Sequence, residues 1–341
     1  FKLDLKNFRI PFLQSYKKNY IFDFNLNTIR KFSKYDNIVI VGMGGSILGT
    51  KSIYSFFKSK IKKKVFFFDN LDANLNLQFR KIKKLKNSCF IVVSKSGNTL
   101  ETVSNFGTIF SKPLLKDKLI IISEIKDSCL INIANKFNAE IIEYKDFIGG
   151  RFSVMSEVGM FPAALMGLKI SKFKNLEQLI RNKNFVNSLI INVASIYTLT
   201  KQGYKNSVIL NYDTKLNDLC LWHQQLVGES LGKKGKGITP ILSTCPRDHH
   251  SVMQLYLDGP KDKFFTFFSS LNKRNKFKVS STMIPNNIRF LRNKKLESII
   301  NSQCEATKNV FKVKKIPFRH FVISEDNENE LGSIFTFFVI E

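Results

Sequence analysis

The chain is poor in acid, in paired cysteines and in long apolar runs. Of its 341 residues, 27 are Asp or Glu against 54 Lys or Arg, and five are Cys. No apolar stretch approaches the roughly 20 residues that span a bilayer, and no signal peptide opens the sequence, so the expectation is a cytoplasmic protein. Cys89, Cys129, Cys220, Cys245 and Cys304 are widely spaced and odd in number. A disulfide framework or a zinc site needs pairs or clusters, so these read as reduced thiols in or near a core. Histidine is also scarce. His223 and His320 stand alone and read as structural, and the His249–His250 pair lacks the spaced partners of a metal site.

The formal charge of +27 raises nucleic acid or an anionic membrane as partners. However, the lysines are spread along the chain beside abundant Asn, Ile and Phe, and only KSKIKKK at 58–64 is a dense basic run. No nucleic-acid module is recognisable, and such a protein would need its charge gathered on one face. The expectation is a solvated basic surface that attracts small anions, with neither nucleic acid nor membrane as partner.

A chain of this length is too long for one ordinary core and suits two domains. From residue 38 strand-like runs alternate with helical periodicity: NIVIVG (37–42), KVFFFD (64–69), CFIVVS (89–94), LIIIS (119–123) and AEIIEY (139–144). Continuous Val/Ile/Phe runs, unlike alternating ones, mean strands covered on both faces, hence a doubly wound parallel sheet. GMFPAALMGL reads as a buried helix, and the polar, basic stretch 169–188 as a connection. A second series follows at SVILNY (207–212), TPILST (239–244), KFFTFF (263–268) and RHFVIS (319–324). The predicted fold is α/β with two doubly wound domains, 1–168 and 169–341. Both ends read as cut, since the chain opens at Phe1 without Met and closes inside the apolar helical pattern ELGSIFTFFVIE.

Three turns carry candidate ligand groups. GMGGSILG (42–49) leaves a strand for a helix, where Gly42, Gly44 and Gly45 permit close backbone approach and Ser46 sits at a helix entrance that attracts an anion. The spacing is GxGG and no Lys-Ser/Thr pair follows, so neither a dinucleotide nor a nucleoside triphosphate is implied. SKSGNTLET (94–102) sets Ser94, Ser96, Thr99 and Lys95 around a turn at Gly97. Hydroxyls hold phosphate by donation without the strong charge that would retain product, and the two turns point to one monophosphate crevice at the carboxyl edge of the sheet. GGRFS (149–153) brings Arg151 toward the same edge, to neutralise an oxyanion or simply to stack.

In WHQQLVGESLGKKGKG (222–237), Glu229 is a lone charge beside Trp222, Leu226 and Leu231, where partial desolvation would make it a usable base. A water-facing helical glutamate is the alternative. His249 and His250 follow shortly and point about 100° apart on a helix, so one of them serves a given site. A carboxylate and an imidazole from neighbouring segments suit proton transfer at neutral pH.

GMGGS, SKSGNTLET, GGRFSVMSEVGMFPAALMG, ESLGKKGKG and DHHSVMQLYLDGP occur here in the order found in the glucose-6-phosphate isomerases, and over roughly residues 37–341 the chain resembles that family. SKSGNT is the looser match, since many members carry SKTFTT there. The resemblance implies two sugar-isomerase (SIS) domains and interconversion of glucose 6-phosphate and fructose 6-phosphate through an enediolate, in glycolysis and gluconeogenesis, with no metal and no cofactor. It implies that Gly45, Ser46, Ser94, Lys95, Ser96 and Thr99 hold the sugar phosphate, Arg151 stabilises the enediolate and Glu229 shuttles the proton. His250 would help open the ring from a neighbouring subunit, making a homodimer, and the family's C-terminal ring-opening lysine has no match before Glu341. A mannose-6-phosphate or bifunctional isomerase, or a non-catalytic sugar-phosphate-binding protein on the same domains, are the alternatives.

Overall fold

The computed structural model describes residues 10–82, 85–109, 117–271 and 277–341. They form two compact units, one comprising the chain up to Ile190 with Asn327–Glu341, the other Ile191–Asp326.

In the first unit β1 (Asn37–Gly42), β2 (Lys64–Phe68), β3 (Ser88–Val93), β4 (Leu119–Ser123) and β5 (Glu140–Glu143) make a parallel sheet in the order β2-β1-β3-β4-β5. The apolar runs land on these strands because Ile38–Val41, Phe90–Val93 and Ile120–Ile122 are covered on both faces and inaccessible to solvent. Val39, Val41, Phe90, Val92 and Ile121 build one core with Phe106 and Leu130, which come from helices Leu100–Ile109 and Cys129–Phe137. Helices Leu48–Phe57 and Glu157–Leu165 pack together, with Thr50 Oγ1 donating to Val158 O at 3.0 Å. Because every pairing is parallel, all strands start on one edge, here the amino edge, and finish on the opposite, carboxyl edge.

The sequence reading ends the first domain at residue 168 and treats 169–188 as a connection; the structure divides the chain differently. Phe173, Lys174, Asn175 and Leu176 are buried in the first unit, and the C-terminal helix Glu328–Ile340 docks on them. Asn175 Nδ2 donates to Asn329 O at 3.1 Å and to Ser333 Oγ at 2.7 Å. Gly332 lies so near Phe173 that a Cβ would fall 2.2 Å from its carbonyl oxygen. Polar composition concealed this segment because two of its buried side chains, Lys174 and Asn175, are themselves polar.

The second unit repeats the architecture with β6 (Asn206–Asn211), β7 (Thr239–Thr244), β8 (Lys263–Ser270) and β9 (Phe318–Ile323), parallel in the order β7-β6-β8-β9. Its core joins Val208, Leu210, Phe265 and Phe267 to Phe311 of helix Leu296–Val313. The expected α/β class with two helix-flanked parallel sheets is thus observed. Among the described residues no helix is long and apolar enough to cross a membrane.

Candidate active site

Register places Gly42 of β1 beside Val93 of β3, so the GMGGS and SKSGNT turns leave adjacent strands at the carboxyl edge of the first unit. Gly44 takes φ +52°, and the turn Gly44–Ser46 leads into helix Leu48–Phe57. Gly45 has a packing reason to be glycine. A Cβ there would fall 2.2 Å from Gly150 C and 2.8 Å from Arg151 N, so the bare position admits the GGRFS turn. Ser153 Oγ ties the two turns, lying 3.0 Å from Gly45 O and 2.8 Å from Gly150 O. The Arg151 guanidinium lies 4.4 Å over the Phe152 ring, which stacks on Phe12 at 4.0 Å. Arg151 therefore stacks, on a turn locked to the GxGG segment.

In the second turn Ser94 is buried, with Oγ 2.8 Å from Thr99 Oγ1. Gly97 has φ +70° and rests on Ser128, whose Oγ a Cβ would meet at 2.2 Å. The first amides of helix Cys129–Phe137 hold the turn: Cys129 N donates to Asn98 Oδ1 at 2.8 Å and Leu130 N to Gly97 O at 3.0 Å. Ser96 is exposed and accepts from Asn98 N at 3.2 Å. Lys95 donates to Asp146 O at 2.6 Å and lies 3.6 Å from Glu124 Oε1. Asn98, Ser128 and Glu124 were not singled out from sequence, because their work is to hold backbone and a lysine.

Beside this edge lies a buried charged cluster with little sequence signal beyond a lone Glu in SVMSEVGMF. Tyr20 donates to Glu157 at 2.9 Å and Asp23 N does so at 3.1 Å. Lys174 donates to Ser15 O at 2.8 Å and sits 4.2 and 4.0 Å from the Tyr20 and Phe22 rings. Burial pushes the Lys174 ammonium down to about 7 and, as the leading cause, raises the Glu157 carboxyl above its ordinary range.

In the second unit Glu229 occupies the last turn of helix Asn217–Leu231. The apolar enclosure expected around it is absent: Trp222 and Leu226 are buried, but Leu231 is 46% exposed and Glu229 itself faces solvent, accepting from Gln225 Nε2 at 2.7 Å. Earlier in that helix Gln224 Nε2 donates to Pro240 O at 3.2 Å, at the start of β7. Glu229, further along, thus belongs to the amino edge of this sheet, whereas His249 and His250 follow β7 out of the carboxyl edge. The pairing suggested by their closeness in sequence is not formed within the unit, since a helix between parallel strands must run back across the sheet. His249 Nε2 lies 2.7 Å from the Tyr212 hydroxyl, itself 3.0 Å from Thr307 Oγ1, and burial lowers its pKa. His250 is exposed. His223 is buried, its pKa lowered to about 3 chiefly by desolvation, and His320 Nε2 lies 2.8 Å from Ser269 Oγ; both are structural. Cys89, Cys220, Cys245 and Cys304 are buried as expected, but Cys129 is exposed because it opens a helix at the turn.

Two parallel sheets flanked by helices, one with hydroxyl-bearing glycine turns at its carboxyl edge, define a two-sheet α/β protein. Solved structures share this fold: a hypothetical protein from Thermus thermophilus (TM-score 0.81, 21% identity, covering 92% of this chain and 80% of that one) and a glucose-6-phosphate isomerase from Chlamydia trachomatis (TM-score 0.72, 20% identity, 92% and 65%). The phosphoglucose isomerase family profile matches residues 28–245. The glucose-6-phosphate isomerase of Methanocaldococcus jannaschii is 34% identical over 326 residues, 93% of this chain and 80% of its own length. The chain belongs to the phosphoglucose isomerase family.

Proposed function

We propose that the protein interconverts glucose 6-phosphate and fructose 6-phosphate by proton transfer between the first two sugar carbons. The observation that carries this reading is the packing of the Arg151 turn onto Gly45, beside the Ser94–Thr99 turn on the adjacent strand, in a chain of this family. Ser46, Ser94, Ser96 and Thr99 would hold the phosphate, with Gly45 shaping the turn and Lys95 adding charge once released from Asp146. Arg151 would stabilise the enediolate oxygen, and Glu229 would move the proton. His250 would act in ring opening. Its placement on the sheet edge opposite Glu229 supports the reading in which it serves a second copy, as a homodimer. Free thiols fit a cytoplasmic setting in glycolysis and gluconeogenesis.

A coupled assay on fructose 6-phosphate, scoring glucose and mannose phosphates separately, tests the proposal. Glucose 6-phosphate as the main product is expected. Absence of turnover would favour the non-catalytic alternative, and dominant mannose 6-phosphate would reassign the substrate.

A further inference from the structure

The run 58–64 has no part in the proposed chemistry, and the fold shows where it goes. Lys58 and Lys60 follow the end of helix Leu48–Phe57, and Lys62 and Lys64 lead into β2, so all four lie at the amino edge of the first sheet. Register sets Lys64 beside Asn37 of β1, and Asn37 beside Ser88 of β3. Lys34 and Lys86, just before those strands, extend the same row, and all six lysines are exposed. Lys63 stiffens it by donating to Ser33 O and Tyr35 O at 2.6 and 2.5 Å, and Lys118 by donating to Lys86 O at 2.9 Å. Beside the row Asp36 accepts from Asn87 at 2.6 Å; the other acids of this edge, exposed Asp117 before β4 and Glu140 of β5, which is paired with Lys31 at 2.7 Å, lie past β3. At the carboxyl edge, by contrast, Lys51, Lys95 and Lys126 are offset by Asp69 and Glu124. Within the first unit the basic run and its neighbours thus stand together at the amino edge, opposite the edge that carries the GMGGS and SKSGNT turns.

Neutralising a helix C-terminus accounts for Lys58 and Lys60 but not for Lys62 and Lys64 at a strand start. These lysines stand at the starts of β2, β1 and β3, and three strands at about 4.8 Å make a row of roughly 10 Å, the length along which a nucleic-acid duplex presents about three base pairs of phosphates. Among the described residues of this edge no large apolar side chain is exposed, so neither an inserting contact for a membrane nor a stacking platform for single strands is present. We infer that the amino edge of the first unit is a docking ridge for the phosphate backbone of duplex nucleic acid, independent of base sequence.

Fluorescence anisotropy with labelled RNA and DNA duplexes of about 24 base pairs tests this across a salt series. Wild-type protein should bind both, with no dependence on sequence and with affinity falling steeply as salt rises. The variant K58Q/K60Q/K62Q/K64Q should lose at least about tenfold in affinity at low salt and flatten the log–log salt slope by roughly 3 units. Replacing the same four by arginine should preserve binding. K201Q/K205Q/K312Q/K315Q, with equal loss of charge elsewhere, should bind within about threefold of wild type. The inference fails if the two Gln variants weaken equally, if wild type leaves the duplexes free at low salt, or if phosphatidylserine vesicles retain it while the duplexes do not. Isomerase turnover should be unchanged in every variant, and none of these outcomes depends on the isomerase reading.

Discussion

Gly45→Ala is the sharpest probe of how the site is built. The added methyl falls 2.2 Å from Gly150 C and 2.3 Å from its oxygen, where ordinary contact begins at 3.4 Å, and both are backbone atoms that cannot rotate away. The two turns must therefore part by roughly 1 Å, stretching the Ser153 contacts that join them. Overpacking of this kind typically costs about 1–3 kcal/mol of stability. Since Arg151 rides on the displaced turn, an error of about 1 Å should lower kcat/KM about 10²-fold. Gly107→Ala is the matched control. It sits in helix Leu100–Ile109 with nothing within 4 Å of its Cβ, and should stabilise by about 0.4–1 kcal/mol without changing turnover. Urea unfolding and the coupled isomerase assay read both effects. If Gly45→Ala keeps kcat/KM within about twofold of wild type, contact between these turns does not set the position of Arg151.

Glu229→Gln should leave urea stability unchanged, since the residue is exposed, while cutting turnover by about 10²–10⁴ and abolishing exchange of substrate hydrogen with solvent; exchange at the wild-type rate would remove Glu229 as the base. His250→Ala should impair cyclic substrate more than substrate supplied open, with no loss of stability. His249→Ala should instead cost about 1 kcal/mol by losing the Tyr212 contact, with a milder effect on rate; the reverse ranking would exchange their roles. For Lys174 the folded pKa of about 7 lies below the unfolded value, so from there upward the unfolded chain binds more protons and stability rises with pH, by up to about 1.4 kcal/mol per unit. Lys174→Met should flatten the rise between about pH 7 and 9 in urea titrations, and an unaltered profile would show that Lys174 does not titrate in that window.

The strands were legible because burial on both faces writes itself as an uninterrupted apolar run: Asn37–Gly42 and Leu119–Ser123 fall where composition puts them. The phosphate-type turns were legible as glycine beside hydroxyl at a strand end. What Gly45 makes room for was not, since a glycine admitting a ligand and one admitting another turn look alike until the second turn is in place. Nor was the separation of Glu229 from His250, because nearness along the chain says nothing of which end of a helix reaches which edge of a sheet. The Lys174–Glu157–Tyr20 cluster escaped for a third reason: each member is polar in isolation, and burial becomes tolerable only through contacts among them and with Ser15 O and Asp23 N.

The return of helix Glu328–Ile340 to the first unit orders events on the ribosome. All of Ile191–Asp326 is translated after the first sheet and before the helix that covers Phe173, an interval on the order of 10 s. Throughout it the nascent first unit presents an uncovered seam, whereas the second unit is synthesised without interruption and can fold as soon as it emerges. Chains ended at residue 326 and released from the ribosome should therefore protect the second unit from protease and leave the first one open at the segment around Phe173.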